Sequence, residues 1–365
     1  MIKVKKILLG ILFMTGTNVF AQDSVKLATA ASPVTFSGYV EAYYQYDFNK
    51  PADNNRPGFI YSHNRHNEFN LNLGFIKGSY SADRVRANIA MATGTYMNAN
   101  YAAETGVLKN IYEANAGIKI SKKKNLWIDA GIFSSHIGFE SAISKDCWTL
   151  TRSMLADNSP YFESGAKITY TTNNNKWIVS GLLLNGWQRI KRVDDNSLMS
   201  YGTQVQFKPN ATTTLNYSSF IGTDKPDSSR QWRYFHNLYG IFNVTSKFGI
   251  IAGFDIGSEQ KAKGSSSMNT WYSPVLILKY AVNDAWALAA RGEYYYDKNG
   301  VIIASGTPNG FQTAGFSLNI DYMPASNAVL RLEARTLNSK DDVFVKANGI
   351  SNNNTFITTS IAVSF

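Results

Sequence analysis

Serine, histidine and glutamate meet in one short stretch, SSHIGFE at 134–140. Ser134 or Ser135 as nucleophile, His136 as base and Glu140 as its orienting acid would be the parts of a hydrolytic site. A triad is defined by geometry rather than by nearness in sequence. No nucleophile elbow or distant partner accompanies these residues, so catalysis is not expected. His63 and His66, in SHNRHNEF, have a spacing that could suit a metal. Two loop histidines flanked by asparagines are more often solvated or hydrogen-bonded, so no metal is assigned. No nucleotide or other cofactor motif is present.

What remains is charge laid out at alternate positions. Glu41, Gln45, Arg86, Glu113, Lys119, Asp129, Glu163, Lys167, Arg291, Glu293, Arg331, Glu333 and Arg335 sit between neighbours that are apolar, save Ser164 after Glu163 and Thr336 after Arg335. In SGYVEAYYQYDFN, Ser37–Asn49, the even positions are Gly, Val, Ala, Tyr, Tyr and Phe, while Glu41, Gln45 and Asp47 fall on the odd ones. A period of two places successive side chains on opposite faces of a β-strand. The same pattern recurs in Phe69-Leu71-Leu73-Phe75, Val85-Ala87-Ile89-Met91, Tyr112-Ala114-Ala116-Ile118-Ile120, Trp286-Leu288-Ala290, Ala328-Leu330-Leu332-Ala334 and Ile357 to Phe365. In the stretches near 177–187 and 232–244, either face could be the apolar one.

The connections sort into two kinds. Short polar turns stand at 81–84, 121–125, 172–175, 208–211, 245–247, 283–284 and 324–327. Between them lie longer segments near 49–67, 95–110, 134–159, 188–198, 222–231, 258–270, 297–310 and 338–354. Strict alternation of short and long predicts an all-β, transmembrane, antiparallel up-and-down β-barrel of about 16 strands, with short periplasmic turns and long extracellular loops. Closing the sheet satisfies every backbone N–H and C=O, as hydrocarbon demands. Tyr44, Tyr46 and Phe48 would then join an interfacial aromatic girdle.

The beginning of the chain fits export. Lysines at 3, 5 and 6, an apolar run from Ile7 to Met14 and Val19-Phe20-Ala21 have the layout of a signal peptide cut near Ala21. The expected organisation is a signal at 1–21, a short lead at 22–33 and a barrel at 34–365. The single cysteine, Cys147, allows no internal disulfide. A net charge of +10, three of it in the signal, is no nucleic-acid signature. The run Lys122-Lys123-Lys124 reads as a solvated turn.

A barrel this wide keeps an aqueous interior, and the alternating charges would line it. Arg86, Lys119, Lys167, Arg291, Arg331 and Arg335 face Glu41, Glu113, Asp129, Glu163, Glu293 and Glu333 in equal number, so only weak ion selectivity is expected. Some of these, Arg291 with Glu293 and Arg331 with Glu333 above all, would be cross-strand pairs that hold the wall. Tyr43 and Tyr295 would face inward and could touch a solute. The longest connection, 134–159, is compatible with a short helix near 142–155. Folded inward it would form a constriction with Glu140, Lys145, Asp146 and Arg152 nearest the solute; otherwise it would cap the mouth.

The segments SGYVEAYYQYDFN, HNRHNEFNLN, LWIDAGIFSSHIGFES, WTLTRS and SPYFESGAKITY, in this order and spacing, resemble the OmpL-like outer-membrane β-barrel porins. The resemblance covers nearly the whole chain after the signal. It implies a Gram-negative outer-membrane pore for small hydrophilic solutes, in contact with membrane lipids and, as general porins often are, a homotrimer. It further implies that the terminal Phe365 is read by the barrel-assembly machinery. The runner-up is a surface binding or adhesion protein whose barrel only anchors its loops.

Overall fold

A computed structural model describes residues 32–365. The expected signal, 1–21, and all but the last two residues of the 22–33 lead lie outside the described residues. The strands are β1 Val34–Asp47, β2 Phe69–Ser81, β3 Val85–Thr93, β4 Ile111–Lys119, β5 Asn125–Ser134, β6 Phe162–Thr171, β7 Trp177–Leu184, β8 Ser200–Asn210 and β9 Thr213–Gly222. They continue as β10 Arg233–Asn243, β11 Phe248–Gln260, β12 Met268–Ala281, β13 Trp286–Asp297, β14 Phe311–Ala325 and β15 Ala328–Ser339. A small hairpin, β16 Phe344–Lys346 and β17 Gly349–Ser351, interrupts the last long loop before β18 Asn353–Ser364. Apart from that hairpin, each strand pairs antiparallel with its neighbours in sequence, and β18 pairs with both β15 and β1, closing a 16-stranded barrel.

The alternation has the physical meaning it suggested. Ile89, Leu276, Leu288, Leu318, Leu332 and Ile361 point out and are exposed, while the charged residues between apolar neighbours point in. Outward aromatic rings pair at both ends. Trp177 stacks on Phe207 at 4.1 Å and Trp286 lies 4.7 Å from Tyr322 beside the short turns; Tyr44 with Phe69 at 5.1 Å and Tyr272 with Tyr296 at 4.9 Å lie beside the long loops. Two aromatic bands bracketing an apolar belt are what a membrane-spanning barrel presents to lipid.

Two expectations need correction. The first concerns faces. A bulge opposite Glu41 and Ala42 leaves Asn72 without a partner in β1, and a second opposite Ala90 and Met91 does the same to Tyr112. An extra residue in one strand reverses the facing of the residues beyond it. Leu73 and Phe75 therefore leave the face of Phe69 and Leu71 and turn inward, where Phe75 stacks between Tyr39 and Tyr112 at 5.8 and 5.2 Å. The second is the helix near 142–155. The segment holds only a 3-10 turn at Ser144–Asp146 and one α-turn at Met154–Asp157, the latter capped by the Ser153 hydroxyl accepting from the Ala156 N–H. The long segment near 95–110 is a connection as expected and contains α1 Thr95–Asn100 and a 3-10 turn at Gly106–Asn110.

The base of the 135–161 connection rests on a glycine pair. Gly131 and Gly165 face each other across β5 and β6 with φ of 125° and 155°. A Cβ on Gly131 would collide with the Ala114 carbonyl oxygen, and one on Gly165 with that of Leu183. Only glycine permits this backbone approach.

If the belt around Leu332 faces hydrocarbon, Leu332→Arg lowers the unfolding free energy in lipid vesicles by ~2–4 kcal/mol. Val363→Arg, near the short-turn end, costs ~0–1 kcal/mol. Equal losses at the two positions, measured by urea titration, would remove the belt assignment.

Candidate functional site

The 135–161 segment does not cap the barrel. It crosses the interior: His136 and Gly138 bond to Ser218 of β9 and Asn237 of β10, and residues 144–154 dock on the far wall, β13–β15 and β1. The chemistry of the dock is dictated by what a loop carries: backbone amides and carbonyls that need partners once buried. Inward arginines and carboxylates supply them. Arg331 donates to the carbonyls of Ser144 (2.5 Å), Cys147 (3.1 Å) and Thr149 (3.3 Å) while bidentate to Asp321 at 2.7 and 2.9 Å. Arg291 donates to the Thr151 carbonyl at 2.6 Å and to Glu333 at 2.8 Å, and Glu333 accepts the Thr151 N–H at 2.5 Å. Arg335 donates to the Arg152 carbonyl at 3.0 Å and to Glu293 at 2.6 Å, and Glu293 accepts the Met154 N–H at 2.7 Å. Asn319 accepts from Leu150 at 3.0 Å.

The expected lumen set thus divides by exposure. Arg291, Arg331, Arg335, Glu293 and Glu333 are inward but buried under the segment. The expected cross-strand pairs Arg291–Glu293 and Arg331–Glu333 each lie on a single strand; across strands Arg331 takes Asp321, Arg335 takes Glu293 and Arg291 takes Glu333, though Arg291 Nε does lie 3.1 Å from Glu293. Glu41 is buried too. It receives the Asn72 amide at 2.8 Å, lies 3.1 Å from His63 Nε2 and accepts from the Ser144 hydroxyl, so it ties the first long loop, the β2 bulge and the crossing segment to one carboxylate. Gln45 is buried against Thr358. Glu163 is fully buried, and its nearest basic group is His136 Nδ1 at 4.0 Å. Tyr43 and Tyr295 are buried, Tyr43 edge-on to His63 and Tyr295 against Phe311, so neither reaches a solute.

Arg86, Glu113, Lys119 and Lys167 keep partial exposure on the inner face of β3–β6, toward the short turns. Arg86 is bidentate to Asp129 at 2.6 Å on both arms, and Glu113 is paired with Lys77 at 2.5 Å. Lys77 joins this face because of the Asn72 bulge. Sequence reasoning missed it, and with it Lys279 and Asp321, which lie on the inner faces of β12 and β14.

Of the four loop residues, two brace the segment itself. Arg152 is buried and donates to the carbonyls of Ser141 (2.5 Å), Leu150 (2.7 Å) and Ala142 (3.0 Å). Glu140 accepts from the Ser153 hydroxyl and, at 3.2 Å, from the Ser153 N–H. Their side chains are taken up with holding the turn. Lys145 and Asp146 stand at the tip, half-buried and exposed respectively.

The hydrolytic arrangement is not assembled. His136 Nε2 donates to the Ser219 carbonyl at 2.9 Å, Ser135 Oγ accepts from the Ile137 N–H, and Glu140 serves Ser153. Burial holds the His136 imidazole down to about 4. His63 and His66 turn to different partners, Glu41 and the Asp47 N–H, and no metal-binding group of His, Cys, Asp or Glu occurs among the described residues.

Two spaces flank the crossing segment. Toward the long loops a cavity of about 400 Å³ is lined by Tyr61, Asp157, Trp187, Arg189, Asp224 and Arg233 among others. Below lies one of about 260 Å³, bounded by Tyr112 on one wall, Tyr239 and Ile241 on another, and Ser134–Ala142 with Tyr161 of the segment. Tyr161 divides them: its ring borders the lower space and its hydroxyl reaches Asp157 of the upper at 3.5 Å. Burial pushes the Asp157 carboxyl up to about 8, against the opposing pull of Arg335 and Arg152.

Solved barrels share the architecture. OmpT of Vibrio cholerae, folded in vitro, superposes with a TM-score of 0.58 at 11% identity over 92% of this chain and 99% of its own. The anion-selective porin of Comamonas acidovorans gives 0.59 at 11% over 91% and 99%, and the outer membrane channel DcaP of Acinetobacter baumannii 0.58 at 11% over 91% and 97%. At these identities the likeness is one of fold. No curated protein sequence matches the chain. A family model described as "Putative beta-barrel porin-2, OmpL-like" matches residues 33–365, and with that span the chain belongs to this family of β-barrel porins.

Proposed function

We propose that the chain is an outer-membrane porin of a Gram-negative cell, exported by its N-terminal signal, through which small hydrophilic solutes diffuse passively. The observation that carries this reading is the crossing segment. A wall that commits Arg291, Arg331 and Arg335 to pinning one loop across its own lumen is built to set the width of a passage. The adhesion alternative needs long loops that project outward. Here the first loop instead folds back through Phe59, 4.6 Å from Phe311, and the 298–310 loop through Asp297, which accepts the Val301, Ile302 and Ile303 amides. Nothing in this arrangement calls for catalysis. A homotrimer is in keeping with OmpT of Vibrio cholerae, which is described in a trimer form.

The solute passes beside the segment through the two spaces that flank it, and Tyr161 with Asp157 is the partition between them. Purified protein in a planar bilayer then gives stable ohmic steps. Arg291→Ala strands Glu333 without its counter-charge, while Glu293 keeps Arg335, a loss of ~3–5 kcal/mol from the dock. The variant therefore shows larger and noisier conductance than the parent. Unchanged steps would mean that the segment does not limit the current.

The Asp157 carboxyl sets the pH response of the dock. Its pKa in the folded chain lies above the solution value of ~4, so burial is cheapest while it stays protonated. The contribution of this group falls as pH rises from ~4 and is fully lost past about 8. Conductance accordingly climbs between about pH 6 and 9, and Asp157→Asn flattens the profile. A parent profile as flat as the variant's would refute the assignment.

A further inference from the structure

The equal count of inward charges does not describe the part of the lumen that still meets water. Toward the short turns, each inward acid of the wall is already claimed. Asp129 is held by both arms of Arg86, Asp321 by both arms of Arg331, and Glu113 by Lys77. The lysines beside these acids are left over. Lys167 lies directly across from Asp129 in the β5–β6 ladder, yet its ammonium sits 4.5 Å from the Phe133 ring centroid. Lys279 neighbours Asp321, yet its ammonium sits 5.8 Å from the Trp148 ring. An aromatic face steadies an ammonium without cancelling its charge. Lys119 and Lys145 likewise have no ion pair among the described residues, and Lys145 shares with Lys279 a cavity of about 310 Å³ that Asp284 and the Arg331-bound Asp321 also line. Asp146 at the segment's tip offsets one of these four lysines.

The rim continues the imbalance. In the short turns Arg84, Lys122, Lys123, Lys124, Lys176 and Lys247 stand against Asp83 and Asp284. Low-dielectric walls lined by one sign of charge focus the field into the opening. The geometry points to an anion-preferring lumen at the short-turn end, with Lys167 and Lys279 as the residues that set the preference. Small anions such as chloride, phosphate and short carboxylates are the favoured solute class. This inference rests on the porin reading above.

The test is the reversal potential of the purified barrel across a potassium chloride gradient at about 0.1 M, where screening reaches only ~10 Å. A unit charge about 8 Å from a passing ion in a water-like medium is worth roughly a twofold preference. The parent therefore passes chloride over potassium, and Lys167→Gln with Lys279→Gln lowers the permeability ratio about fourfold. Lys167→Arg with Lys279→Arg keeps the charge and keeps the ratio, which separates charge from packing. Lys119→Gln with Lys145→Gln, away from both rings, lowers the ratio as well. A conducting parent that prefers potassium, or a ratio unmoved by both glutamine pairs, overturns the inference and leaves the pore reading standing. A barrel that never conducts overturns both.

Discussion

Everything in this molecule depends on the backbone finding its hydrogen bonds inside one sealed ladder. The seam shows how literal the requirement is. The Gly38 N–H donates to the Phe365 carbonyl at 2.7 Å and the Phe365 N–H returns the bond at 3.0 Å, so the final residue completes the first strand's pairing. An open edge in hydrocarbon would leave a row of such groups unmet, each at a cost of several kcal/mol. Once the ladder is closed, alternation does the sorting. Apolar and aromatic side chains go outward, and polar ones go into a space too wide for them to fill.

Filling that space is the second problem, and the chain solves it with its own long connection. A buried loop brings bare peptide groups with it, and buried arginines bring unshielded charge. Here each meets the other's need: loop carbonyls accept from Arg291, Arg331 and Arg335, and loop amides donate to Glu293 and Glu333. Buried ions without such partners would destabilise the wall. The same groups that look like a selectivity filter when inward charges are simply counted are thereby withdrawn from solvent. The charges still facing water are a different, more basic subset on the other side of the segment.

How much of this was legible in the residues depends on the range of the interaction. β13, β15 and β18 have unbroken alternation, and their facing reads directly from Trp286-Leu288, Leu330-Leu332 and Ile357–Phe365. β2 and β4 mislead because a single unpaired residue, Asn72 or Tyr112, reverses the facing, and nothing local announces a bulge. β7 is ambiguous for a real reason. Leu182 and Leu184 point inward and are buried in an apolar cluster with Ile137 and Met154 of the crossing segment, so both faces of that strand are apolar. The dock itself could not be read at all. Arg331 and Ser144 are 187 residues apart in sequence, and no pattern within either stretch names the other. The expected constriction residues Glu140 and Arg152 illustrate the same limit: their types suit a filter, while their contacts are those of a brace.

That separation also dictates an order of events during assembly. The groups that receive residues 144–154 lie on β1 and on β13, β14 and β15, all more than a hundred residues away in sequence, so the segment has no complete berth until nearly all of the wall exists. Contacts of such long range form slowly, since the intervening chain must be organised first. Seating the strap is what exchanges water around Arg291, Arg331 and Arg335 for loop carbonyls and dries them.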